Sequence, residues 1–160
     1  CTHGLTGLAD LLEGDQLTHY QGLTFVDAVA VTNRQLASRL PIGQRLSRVA
    51  VHPTCSAVHL RLVDDLMALA RLIADEVYLP PRWGCCGFAG DRGFLHPELT
   101  ASATTHEAAD IAAAEDAQGG PFEAYVSCNR TCELGISRAT GRTYRHVLEV
   151  VAEQLAVARA

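Results

Sequence analysis

The sequence predicts an α/β fold, a mainly parallel sheet of about four short strands covered by helices. Three observations predict it. Short apolar runs alternate with segments of helical periodicity along most of the chain. Each apolar run is bounded by Gly or Pro: Gly22, Pro53, Pro80-Pro81, and the Gly119-Gly-Pro121 break. The chain has 160 residues, 48% of them apolar and 19% charged, which makes one domain with room for a core.

The elements follow in order. Leu23 to Val26 is a strand candidate after Gly22, and 28–40 reads as a helix stopped by Pro41 and Gly43. Arg48 to His52 is a strand ended by Pro53. The segment 58–74 reads as one helix, with Val63, Leu66, Met67, Ala70 and Ile73 on one face and Arg61, Asp64, Asp65 and Arg71 on the other. Glu76 to Leu79 is a strand. After the Gly-rich loop 83–93, Pro97 suits a first helical position and an Ala-rich helix runs to about Ala117. Phe122 to Val126 is a strand, a short turn or helix begins near Thr131, and a last helix is expected over 143–158.

Charge and composition exclude several functions. The net charge is −5, and the 13 basic residues are all Arg and scattered, which argues against a nucleic-acid groove or a polybasic membrane patch. No apolar run is long enough to span a bilayer, and no leader segment is visible. The chain starts at Cys1; with Leu5, Leu8, Leu11 and Leu12 giving helical spacing at once, a fragment of a longer protein is expected rather than a tethered lipoprotein.

The chemistry lies in six cysteines, at 1, 55, 85, 86, 128 and 132. A disulfide framework suits small exported domains without a core, and adjacent Cys85 and Cys86 cannot pair with each other without strain. Metal or redox chemistry in a reducing, cytoplasmic setting is therefore expected. Cys55 follows the strand 48–52, Cys85-Cys86 follows 76–79, and Cys128 and Cys132 follow 122–126. In a parallel sheet those positions share the carboxyl-end rim, where ligands collect, so the thiols should converge. No C-x2-C zinc knuckle is present, and Gly84 and Gly87 flank the vicinal pair, which favours an iron–sulfur cluster over zinc. A zinc-stabilised interaction module and a thiol–disulfide redox domain remain the alternatives. The glycines of the loop fit neither the dinucleotide fingerprint nor the P-loop.

His52-Pro-Thr-Cys55, Cys85-Cys-Gly-Phe-Ala-Gly90 and Ser127-Cys-Asn-Arg-Thr-Cys132 resemble the cysteine-rich CCG domain of heterodisulfide reductase B subunits, anaerobic glycerol-3-phosphate dehydrogenase and the iron–sulfur subunit of glycolate oxidase. The longer string from Cys85 to Leu99, with Asn129 to Glu133, is most similar to the C-terminal region of FAD-linked D-lactate dehydrogenases fused to iron–sulfur modules. The resemblance implies a division into 1–22, the tail of a preceding cysteine-rich copy plus linker, and 23–160, the CCG domain. It implies a [4Fe–4S] cluster, cubane or noncubane, held by Cys55, Cys85, Cys86 and Cys132. Asn129 stands where the family has a further cysteine, and Cys128 is the candidate substitute. Cys1 would belong to the preceding copy. FAD would sit in another part of the parent, and electrons would pass from it toward a quinone or other acceptor, reached at the inner face of the membrane through a partner.

The other polar residues carry plainer expectations. His52 and His96, each before a proline, read as turn or cap residues, and His19, His59, His106 and His146 as surface or helix residues. Asp91-Arg92 reads as an ion pair or a contact for a quinone or partner domain. Arg130 and Glu133 should pin the segment around Cys132.

Overall fold

The structure, a computed structural model, describes residues 26–156. It is an α/β domain with a four-stranded, all-parallel sheet. The strands are β1 (Leu46–Val51), β2 (Ala74–Tyr78), β3 (Ala124–Ser127) and β4 (Tyr144–His146), in the spatial order β2-β1-β3-β4. The helices are α1 (Ala28–Val31), α2 (Cys55–His59), α3 (Val63–Ile73), α4 (Arg92–Leu95), α5 (Pro97–Gln118), α6 (Arg130–Thr140) and α7 (Val147–Glu153).

Successive strand residues face opposite sides, and the two sides carry different cores. Val49 and Val51 of β1 and Ala124 and Val126 of β3 pack against Leu66, Leu69, Ala70 and Ile73 of α3 and Val147, Val150 and Val151 of α7. Ala50, Tyr125 and Tyr144 point the other way, onto Ile111 of α5 and Ile136 of α6. The chain runs outward from β1 to β2, then crosses back past β1 to β3 and on to β4. The direction of winding thus reverses between β1 and β3, and such a reversal opens a crevice at the carboxyl ends of those two strands.

The strands expected at 48–52, 76–79 and 122–126 are β1, β2 and β3, with boundaries moved by up to two residues. Other expectations are corrected. The helix expected over 58–74 is two helices, because Arg61 takes a left-handed φ of 55° between α2 and α3. Ala74 already belongs to β2. The single helix expected over 28–40 is α1 continued by a π turn at Thr32–Leu36 and a 3-10 turn at Ala37–Arg39. The short turn or helix expected from near Thr131 is the helix α6, eleven residues long. The helix expected from 143 begins only at Val147, since Tyr144–His146 pairs with β3 as an edge strand. Of the strand expected at 23–26, residues 23–25 lie outside the described residues and Val26 is in no strand. Cys1 and the boundary at 22/23 lie outside them as well.

Candidate metal centre

β1 extends one residue further as a ladder: the His52 N–H donates to the Val126 carbonyl at 2.8 Å, and the Ser127 hydroxyl donates to the His52 carbonyl at 2.9 Å. The chain then turns at Pro53, and Thr54 caps α2, its Oγ1 accepting from the Ala57 N–H at 3.1 Å. Cys55 is the first residue of that helix and is exposed. After β3, Asn129 caps α6, its Oδ1 accepting from the Thr131 N–H at 3.1 Å. The residue standing where the resemblance implies a cysteine is therefore a helix cap. Cys132 lies buried in the first turn of α6. The Arg130 guanidinium meets the buried Glu133 carboxylate at 2.8 Å, which fastens that turn as expected.

The loop after β2 delivers the vicinal pair. Gly87 has φ +67°, and a Cβ there would lie 2.8 Å from the Ala103 Cβ and 3.0 Å from the Leu99 carbonyl oxygen. Only glycine both takes that turn and lets the loop lie flat on α5. Its N–H donates to Cys85 Sγ at 3.4 Å. Cys86 turns inward, where it packs with Phe88 and Cys132. Gly135 of α6 leaves this space open: a Cβ there would lie 2.9 Å from Thr100 Cγ2 and 3.3 Å from the Phe88 ring. Asp91 and Arg92 are both exposed, and they form no ion pair with each other. The structural ion pair expected there is not made, because each side chain points to solvent.

Two of the thiols meet at the carboxyl-end rim of the sheet: Cys86 Sγ and Cys132 Sγ are 2.9 Å apart. Cys55 and Cys85 are exposed, and neither belongs to the group in which those sulfurs meet His52. Cys128 is buried apart from them in the core beneath α3 and α7, 3.5 Å from Thr54 Oγ1.

A residue that sequence reasoning set aside joins them. A ring nitrogen of His52 and the sulfurs of Cys86 and Cys132 lie within 4.8 Å of one another. His52 Nδ1 is 2.8 and 3.0 Å from the two carboxylate oxygens of Glu107, on α5. His52 reads as a turn residue because it precedes Pro53, and Glu107 is one polar residue in an Ala-rich helix. The available signals were the position of His52 at a strand end and the i, i+4, i+7, i+11 spacing of Thr100, Thr104, Glu107 and Ile111.

The electrostatics follow from these contacts. A hydrogen bond from the Cys132 thiol, with further help from His52 and the Phe88 N–H, overcomes burial and draws Cys86 down to about 5. Burial opposes charge on His52, but its contacts with Cys86 and Glu107 prevail and push the ring up to about 9. The same bond to Cys86, together with burial, pushes the Cys132 thiol far upward. Burial raises Cys55 and Cys128. These contacts thus favour the charged forms of Cys86 and His52 and the protonated form of Cys132.

No family model matches the chain, and neither a curated protein nor a solved structure is detectably similar to it. Among the described residues no helix is long and apolar enough to cross a membrane. The group suits a thiophilic metal, offering the sulfurs of Cys86 and Cys132 and one imidazole from three strand ends.

Proposed function

We propose that this chain is an iron–sulfur electron-transfer module of an FAD-linked D-2-hydroxy acid dehydrogenase of the D-lactate type, passing electrons from flavin toward a quinone or other acceptor. The observation that supports this reading is the contact of Cys86 with Cys132 beside His52, and Cys55 and Cys85 complete the thiol set that the resemblance implies. These four thiols would hold a [4Fe–4S] cluster, which when bound supplies one-electron storage. The chain's own contribution is placement. Phe88 and α6 wall off Cys86 and Cys132, while Cys55 and Cys85 remain open to solvent, so the centre has one dry side and one accessible side.

Anaerobically purified protein tests the reading. Iron and acid-labile sulfide should be present with brown, sulfur-to-iron absorption, and Cys132→Ser should lose most of both. Zinc in place of iron would overturn the electron-transfer role in favour of a zinc-stabilised module. In the full-length parent, Cys86→Ser should collapse turnover with the acceptor while single-turnover reduction of the flavin by substrate survives.

A second reading, a thiol–disulfide redox domain, is favoured by one contact. Two thiolates sharing a tetrahedral metal with bonds of about 2.3 Å stand about 3.8 Å apart, whereas Cys86 and Cys132 are 2.9 Å apart, with Cys86 poised as the thiolate. This reading requires colourless, metal-free protein whose two thiols oxidise reversibly to a disulfide.

A further inference from the structure

We propose that His52 is a nitrogen donor to this centre, beside Cys86 and Cys132 and in place of one of the two exposed thiols, and that Glu107 is the carboxylate that orients it. The inference rests on the metal-centre reading above, and its argument is geometric. Both Glu107 oxygens face His52 Nδ1, at 2.8 and 3.0 Å, and an ionised carboxylate can only accept. Nδ1 therefore carries a proton and Nε2 is the nitrogen left to act. Nε2 is buried without a hydrogen-bond partner, and a ring nitrogen of His52 stands within 4.8 Å of the Cys86 and Cys132 sulfurs.

The ring has nowhere else to go. His52 is 0% exposed, its backbone is tied to Val126 and Ser127, and its ring meets Tyr144 edge-on at 6.5 Å. Buried polar atoms are nearly always satisfied, and the neighbours of this ring are the Cys86 and Cys132 sulfurs, which with an imidazole make a donor set of the kind a thiophilic metal takes. A carboxylate on the far nitrogen is the usual support of a ligating histidine, since it sets the tautomer and fixes the ring. Glu107 is 2% exposed, and its hydrogen bonds among the described residues are to His52 alone. A purely structural ion pair locking α5 to the sheet would explain Nδ1 and Glu107, but would not call for the Cys86 and Cys132 sulfurs beside the ring.

Cobalt(II) reads the donor set without iron. The reduced, metal-free chain is loaded anaerobically with cobalt(II) and examined by absorption and proton NMR. The expected result is thiolate-to-cobalt absorption together with a hyperfine-shifted, slowly exchanging ring N–H, the Nδ1 proton shielded by Glu107. His52→Gln should lose that N–H. Glu107→Gln should keep the signal, quicken its exchange with solvent and weaken cobalt binding about 10–100-fold. If His52→Gln does not fold, the wild type and Glu107→Gln decide the matter between them. Cobalt–thiolate absorption with no shifted N–H in the wild type, an N–H that persists in His52→Gln, or exchange unchanged in Glu107→Gln would each overturn the proposal. Because iron and sulfide are assayed separately, failure of the cluster reading and failure of this one are told apart.

Discussion

At the residue scale, the cysteine loop owes its course to two glycines that do different work. Gly87 and Gly90 both take left-handed φ angles, but a Cβ on Gly90 meets open space while one on Gly87 strikes α5. Gly90→Ala should therefore cost only the backbone term, about 1–2 kcal/mol. Gly87→Ala adds overpacking against Ala103 and should cost about 2–4 kcal/mol in all, read as a shift in the urea midpoint. Equal shifts would show that the loop lifts freely from the helix. The buried cysteines divide similarly. Cys128 lies in the apolar core with Val29 and Val126, whereas Cys132 touches Cys86. Cys128→Ala should keep the metal content and lower stability modestly, while Cys132→Ser should lose the metal. Equal metal loss in both would restore Cys128 as a ligand.

At the element scale, α5 is the unusual part. It is the longest helix among the described residues, yet its buried face is Thr100, Thr104, Glu107, Asp110, Ile111 and Glu115. It is held to the rest by charge. Asp110 meets Arg82 at 2.5 Å, and Glu115 meets Arg142 at 2.7 Å and accepts from the Tyr125 hydroxyl. Burial alone would raise Glu115, but Arg142 and Tyr125 outweigh it and hold the carboxylate below its ordinary value of 4.5. A depressed carboxylate contributes stability that is present above the unfolded value and is lost as pH falls through the folded one. The urea midpoint should accordingly drop as pH goes from neutral to below 4.5, and Arg142→Gln should flatten that dependence. An identical acid slope in the variant would place the stabilisation elsewhere. By contrast α3 is held by apolar burial: Leu66 is 0% exposed, and Leu66→Ala should cost about 2–5 kcal/mol at any pH where the protein folds.

At the scale of the whole molecule, the α/β class and the inner strands were legible because Val49, Val51, Val77 and Val126 lie in short apolar runs bounded by Gly or Pro. β4 was hidden because Tyr144, Val147 and Val151 fit a helical stripe as well as they fit a strand followed by a helix. The break at Arg61 left no mark, since no Gly or Pro announces it. The meeting of Cys86 and Cys132 could be foreseen from strand ends alone. The His52–Glu107 contact could not, because it joins residues 55 apart through the docking of α5, and periodicity sees only neighbours. A metal bound to folded protein and not to the unfolded chain stabilises by mass action, about 2.7 kcal/mol at a hundredfold excess over Kd. Loaded protein should melt higher than the same chain after chelation, and coincident melting curves would mean that the centre contributes nothing to the fold.

The reversal of winding between β1 and β3 also has a consequence for how the protein is made. Cys86 and Cys132 are 46 residues apart, and their meeting requires both flanks of the central strand to be in place. Loop closure of that length comes late, after local helices have formed. A ribosome-bound chain that has released β1 and β2 but not β3 offers its vicinal thiols no Cys132, and it lacks the β3 backbone that tethers His52. Any centre built on Cys86 and Cys132 would thus be completed only once synthesis has passed α6, and until then the vicinal thiols would stand without that partner.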